Sequence, residues 1–335
     1  MEWLARRLWA GELGRWGGAL SVVTAPLSWA WGGALRVRER RLARSGGTRV
    51  EGVFVVSVGN LAVGGTGKTP IAAWAAELLE RGGVPTTVVV GGAGQDEALL
   101  HQRWKPARPV IVARDRVQGV ARARDAGARV VVLDDGFQHR RLRRDVDLVL
   151  LSADDPFPGA LLPRGPYREP ASALARADVV LVTRRSADAA TARTLAARAE
   201  EHAPGAVVAG LRLLGTGWRR LDGGPGAPPA GPVLAACGIA RPDAFRRAVE
   251  GLMGSGVELL AFEDHHRYTR ADARKLRVRA AGRPIVVTEK DAVKLEALGG
   301  DLGDLYALVE EPLWEWGEDR VAALLAAGAR RAVVA

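Results

Sequence analysis

The chain has 335 residues, 48% of them hydrophobic and 5% aromatic, which leaves room for two domains with substantial cores and excludes a disordered or fibrous chain. Its formal charge is +10, and all but five of the 48 basic residues are Arg, so a GC-rich genome explains the excess as readily as an anionic partner does. The single cysteine, Cys237, excludes a disulfide framework and a cysteine-only metal site, and suits a small buried hydrophobe in a reducing compartment.

The N-terminal segment mixes Trp3, Leu4, Leu8 and Trp9 with Arg6, Arg7 and Arg15. From Trp16 to Leu35 there are 20 residues without a charge, followed by the basic run RVRERRLAR. Twenty residues reach the minimum for a membrane span, but four glycines and Pro26 weaken that reading. Trp beside Arg suits a helix lying in the headgroup region, so residues 1–45 are expected to form a membrane-associated helical segment. A core helix packed on the main domain is the alternative.

Short apolar runs then alternate with Ala/Arg/Glu-rich helical stretches: VFVVSV (53–58), TTVVV (86–90), PVIVA (109–113), ARVVVLDD (128–135), VDLVLLS (146–152) and ADVVLVTR (177–184). Such runs predict a mostly parallel sheet covered on both faces, an α/β lobe over 46–221. The Gly/Pro cluster DGGPGAPPAGP (222–232) reads as a linker. Beyond it, VLAACG, VELLAF, RPIVVTEK and LYALVE, with the closing helix EDRVAALLAAG, predict a smaller α/β lobe over 222–335.

The stretch VGNLAVGGTGKTP (58–70) joins the first strand to a helix. Strand, glycine-rich turn, Lys-Thr and helix is the context in which a phosphate-loop match becomes specific, although Ala62 stands where the usual first glycine would be. Val63, Gly64, Gly65, Thr66, Gly67, Lys68 and Thr69 are the candidate nucleotide-binding residues. Glycines let backbone N–H groups converge on phosphate oxygens, the helix N-terminus adds its dipole, Lys68 can reach the β- and γ-phosphates, and the Thr69 hydroxyl can hold Mg²⁺. The strand ending in Asp134-Asp135 matches a Walker B element, whose carboxylates hold the metal or its water shell. Together the two motifs predict binding of Mg-ATP in a P-loop NTPase-type lobe.

The chain resembles the tetraacyldisaccharide 4'-kinases, which phosphorylate the lipid A precursor. The resemblance rests on VGNLAVGGTGKTP, LDDGFQHRRLRRDVDLVL, FPGALLPRGPYREP, CGIARPDAF, FEDHHRYT and VTEKDAVKL, and covers most of the chain. It implies transfer of the ATP γ-phosphate to the 4'-hydroxyl of an acylated disaccharide 1-phosphate, at the cytoplasmic face of the inner membrane. By the same resemblance Asp96, His265 and Lys68 are catalytic, Glu169 joins Thr69, Asp134 and Asp135 at the metal, and Arg168, Gln138 and His139 face the substrate. Blander readings stand beside these: Asp96 as a helix N-cap, His265 as a satisfied loop histidine with His266 structural, and Arg168–Glu169 as an exposed charge pair. Asp96 follows the second strand of the P-loop lobe and His265 lies 169 residues further on. The two are therefore expected on different lobes, paired only when the lobes close. The chain also lacks the S-R-G-Y-G stretch usual before this aspartate, since VVV runs through GGAG directly into QDEALL.

A soluble P-loop kinase or ligase of the dethiobiotin synthetase type, or a switch ATPase, are the other readings. The switch ATPases carry a lysine where this chain has Val63, and TEKD does not supply the guanine-reading N-K-x-D. No basic-aromatic module points to nucleic acid, and no obligate protein partner is evident.

Overall fold

The computed structural model describes residues 9, 14–92, 95–221, 225–254, 256–299 and 303–334. The expectations resting on Trp3, Leu4, Leu8, Arg6 and Arg7, and part of those on GGAG and DGGPG, lie outside the described residues. Contacts divide the chain into two compact units, Met1–Ala93 with Arg108–Leu211 and Trp314–Ala335, and Gly94–Ala107 with Arg212–Leu313.

In the first unit the apolar runs become β1 (Phe54–Asn60), β2 (Thr86–Gly91), β3 (Val110–Ala113), β4 (Val130–Asp134), β5 (Val146–Ser152) and β6 (Val179–Arg184). They lie in the order β6-β5-β1-β4-β2-β3, and their pairings are parallel, with Val56 opposite Val132 and Val146. β1, β4 and β5 are buried at every position, as strands covered on both faces must be. One core joins Val55, Val89, Val120, Val131 and Leu133. Another joins Leu61, Phe137, Val149, Val180 and Leu195. β1 runs between β4 and β5, so the chain order reverses beside it, and the loops at the C-terminal ends of these strands border the crevice where such sheets bind ligands.

The long N-terminal helix α1 (Gly14–Ser45) passes through Pro26. Its Ser28 hydroxyl donates to Leu161 O (3.0 Å) and accepts from Arg164 N (3.1 Å), and the Trp31 indole donates to Arg168 O (3.1 Å). A different stripe of α1 faces outward, with Val22, Val23, Leu27 and Trp29 each at least 60% exposed. The helix thus packs against the 161–169 segment and also presents an apolar surface. Among the described residues no helix is long and apolar enough to cross a membrane.

The second unit holds β9 (Val233–Cys237), β10 (Val257–Ala261), β11 (Ile285–Thr288) and β12 (Leu305–Trp316) in the parallel order β10-β9-β11-β12. Helices α6 (Pro242–Met253), α7 (Arg270–Ala280) and α8 (Glu289–Leu298) pack here. So does α3 (Gln95–Trp104), although β2 before it and β3 after it belong to the first unit. The chain enters this unit along β7 (Val207–Arg220), which then pairs with the two-residue β8 (Pro225–Gly226), and it leaves along β12. β7 was not anticipated from the sequence, because its glycines mimic a loop. They serve close packing instead: a Cβ on Gly210 would stand 2.0 Å from the Trp316 ring. The remaining helices are α2 (Lys68–Arg81), α4 (Arg116–Asp125), α5 (Ala189–His202) and α9 (Glu318–Val334).

Candidate active site

β1 delivers its buried C-terminal end into the loop 61–67, and α2 starts at Lys68. Ala62 explains the missing glycine. It is buried, bridges Tyr167 in antiparallel fashion, and is followed by Val63 N donating to Pro166 O at 2.8 Å. That position braces the loop from behind and needs no special backbone. The glycines that follow do: Gly64 has φ 125° and Gly67 φ 94°, and a Cβ on Gly64 or Gly65 would meet nothing within 4 Å. Their faces open onto a cradle that side chains would fill.

The rest of the loop is pinned from below. Asn60 Nδ2 donates to Thr66 Oγ1 (2.9 Å), the Thr183 hydroxyl donates to Thr66 O (3.1 Å), and Arg185 donates to Gly65 O (2.7 Å). Asp154 fixes the Arg185 segment by accepting from the backbone N–H groups of Arg185, Ser186 and Ala187. Thr69 is buried in the first turn of α2.

Asp134 ends β4 and Asp135 follows it in the turn. Asp135 adopts a left-handed backbone, φ 59°, a conformation costly for a non-glycine residue and recurrent at functional sites. Lys68 Nζ lies 3.8 Å from its carboxylate, and Arg168 lies 3.1 Å away. Burial pushes the Asp135 pKa up, but the charges of Lys68 and Arg168 outweigh it and hold the group below its usual value. Gln138 donates to Asn60 O (2.8 Å), with its own oxygen 3.5 Å from Arg168. Burial, and next the charge of Arg116, push the His139 pKa below its ordinary value. A hydroxyl and two carboxylates are hard oxygen donors of the kind Mg²⁺ requires, so Thr69, Asp134 and Asp135 fit that ion.

Glu169 does not form the exposed charge pair of the blander reading. It is buried, not part of an exposed pair, and its two oxygens are taken by Arg38 (3.3 Å) and Arg176 (2.6 Å). The carboxylate ties α1 to the 3₁₀ turn Ala171–Arg176.

In the second unit, Asp96 lies within the first turn of α3 and is not its N-cap. Its Oδ2 lies 3.3 Å from His265 Nδ1. The expectation that the two stand on separate lobes and meet on closure is therefore corrected. The short 91–95 connection carries α3 out of the order of its neighbours and into the unit of His265. His265 is itself left-handed, φ 56°, with its N–H bonded to Gly238 O (3.0 Å). Burial opposes the charge on Asp96, but the His265 bond, Glu97, Lys290 and Lys294 together hold its carboxyl well below the usual range. Glu97, beside it, is pushed up by burial. His265 is raised, first by the Asp96 bond, against the pull of burial. His266 is structural: it bonds Asp272 (3.2 Å) and stacks on Phe262 with ring centroids 4.7 Å apart.

Sequence reasoning missed Arg116, Lys290 and Lys294. Arg116 is buried, donates to Ala113 O (2.5 Å), and feels both Asp134 and Asp135. Nothing in the local pattern marks it. Lys290 and Lys294 sit inside VTEKDAVKL, where their i,i+4 spacing on one helix face was the available signal.

A family model described as tetraacyldisaccharide-1-P 4'-kinase matches residues 20–325. A tetraacyldisaccharide 4'-kinase of Anaeromyxobacter sp. (strain Fw109-5) is 38% identical over 317 residues, covering 84% of this chain and 84% of that protein. One from Rhodospirillum centenum is 36% identical over 341 residues, covering 92% and 93%. The fold is similar to that of LpxK from Aquifex aeolicus, solved in complex with ATP, with a TM-score of 0.71 over 92% of this chain and 99% of that one at 23% identity.

Proposed function

The chain belongs to the tetraacyldisaccharide-1-P 4'-kinase family, and from that premise we propose how its residues carry out the transfer. The reaction moves the γ-phosphate of ATP to the 4'-hydroxyl of a tetraacyldisaccharide 1-phosphate in lipid A assembly, which sets aside the dethiobiotin-synthetase and switch-ATPase readings. The observation that carries the residue assignment is the open glycine cradle at the end of β1, with Lys68 and Asp135 paired at its rim.

In this reading the N–H groups of Gly65, Gly67, Lys68 and Thr69 cradle the phosphates, those of Val63 and Thr66 being spent on Pro166 O and Gly64 O, and Lys68 neutralises charge on the β- and γ-phosphates. Thr69, Asp134 and Asp135 would hold Mg²⁺, which would supply charge neutralisation on the transferring group. Arg168 positions the acceptor end and, through Asp135, keeps the carboxylate ionised. Gln138 and His139 line the same edge. His265, with its Nδ1 held by Asp96, takes the proton of the 4'-hydroxyl on Nε2 as the sugar oxygen bonds to phosphorus and the bond to the ADP oxygen breaks. Glu169 acts through Arg38 and Arg176 as a brace.

The exposed stripe Val22, Val23, Leu27 and Trp29 gives α1 a surface suited to lying on a membrane, beside the basic run that follows. We place it on the cytoplasmic face of the inner membrane, where an acylated substrate resides. The test is incubation with radiolabelled ATP and an acylated disaccharide 1-phosphate, with the product resolved by chromatography. Label on the disaccharide supports the assignment; label released only as inorganic phosphate overturns it.

A further inference from the structure

Lys290 and Lys294 lie one turn apart on α8, and both ammonium groups meet carboxylates of α3. Their positions are not equivalent. Lys290 serves Glu97 at 2.9 Å. Lys294 Nζ lies 3.4 Å from Oδ2 of Asp96, the same oxygen that faces His265 Nδ1 at 3.3 Å. On its other side Lys294 lies 3.9 Å from Oδ1 of Asp291.

Asp291 is fully buried and rigidly placed. Its Oδ2 accepts from the Thr288 hydroxyl (2.7 Å) and from Gly238 N (3.0 Å), while Oδ1 has no hydrogen-bond partner among the described residues. Gly238 is also the residue whose carbonyl holds the His265 backbone. A fixed acid thus anchors a lysine whose side chain is only 15% exposed. Taking an ammonium out of water is costly unless it is paired, and an apolar residue would fill the same space without that cost. The ligand atoms of Asp96, Glu97 and His265 come within 4.8 Å of one another, but the two ammonium groups already neutralise these carboxylates, which argues for a tuned proton site over a cation site.

We propose that Lys294 is a positioning residue for phosphoryl transfer: it fixes the Asp96 carboxylate and, by sharing Oδ2 with His265, limits how tightly that carboxylate holds the imidazole proton. This rests on the reading of His265 as the group that accepts the hydroxyl proton. The charged groups around the pair are Glu97, Lys290 and Lys294 at Asp96, Asp264 and Lys290 at His265, and Asp291 at Lys294. Without Lys294, Oδ2 is left to His265 and the negative field on the imidazole grows. The His265 pKa then rises further and the neutral, proton-accepting form becomes scarcer.

The test uses the full chain as Lys294→Met, Lys294→Gln and Lys294→Arg, with His265 titrated by NMR and assigned through His265→Asn. In Met and Gln the His265 pKa should rise by at least about half a pH unit, with Arg restoring it. The acidic limb of kcat/KM should move up by the same amount. An unchanged or lowered His265 pKa in folded Met or Gln variants overturns the proposal, as does failure of both to fold while Arg folds, which would make the role purely structural. A raised His265 pKa with an unmoved acidic limb supports the tuning by Lys294 and instead overturns His265 as the base.

Discussion

Nδ1 of His265 lies 3.3 Å from Oδ2 of Asp96 although 169 positions separate them, and both belong to one compact unit. As the proposed proton-accepting pair, the two residues brought together by α3 and the loop after β10 are expected to act as one unit. Asp96→Ala and His265→Ala should therefore each lower kcat by roughly 10²-fold or more and combine far less than multiplicatively. The ATP KM should stay within a few-fold in both. His266→Ala should cost little rate and appear instead as a lowered Tm, because its ring packs on Phe262 and bonds Asp272. Fully multiplicative losses in the double mutant would show that the two residues act independently.

The same pair sets a pH dependence. His265 is raised above 6.5, so its charged form pairs best with Asp96. That contribution to folding is complete below 6.5 and fades as pH rises through the raised value. With His265 as the proposed proton acceptor catalysis runs the other way: the neutral imidazole is needed, so kcat/KM should fall on acidification, with a limb shifted up from the ordinary histidine range. Asp96→Asn should move that limb down, and a limb that stays put would detach it from His265.

Lys68→Ala removes the charge that faces Asp135 and that is proposed to neutralise the phosphates. Turnover should fall by about 10²-fold or more, with an unchanged far-UV spectrum, because positioning and charge neutralisation make up most of phosphoryl-transfer catalysis. Turnover near that of the unsubstituted protein would remove the loop from the chemistry.

Glu169→Ala leaves Arg38 to solvent and Arg176 to Glu39 and the Phe137 ring, but empties the buried site where the carboxylate joined them. The loss should be about 1–3 kcal/mol in urea unfolding. Because the carboxylate is engaged by arginines, the Mg²⁺ concentration giving half-maximal activity should stay within a few-fold in Glu169→Gln. A large rise there would return Glu169 to the metal.

Replacing Val22, Val23 and Trp29 together by Asn, Asn and Gln removes exposed apolar surface without touching the bonds of Ser28 or Trp31. Sedimentation with anionic phospholipid vesicles should drop severalfold while the thermal transition is retained. Undiminished sedimentation would place the membrane contact elsewhere.

Much of this protein was determined by the sequence alone, and for local reasons. Continuous apolar runs such as VFVVSV and VDLVLLS can only be strands covered on both faces, and the structure has them as β1 and β5, buried throughout. The phosphate loop was legible because glycines with positive φ, Lys68 and a helix start must be contiguous to act. What depended on distant segments was decided only by the tertiary structure. The neutralisation of Glu169 depends on Arg38, 131 positions away, and the unit to which α3 belongs depends on packing with α8. The setting of Asp96 depends on Lys294, which reaches it from another helix. Charge and burial act through space, and a one-dimensional pattern records only the partners that happen to be neighbours along the chain.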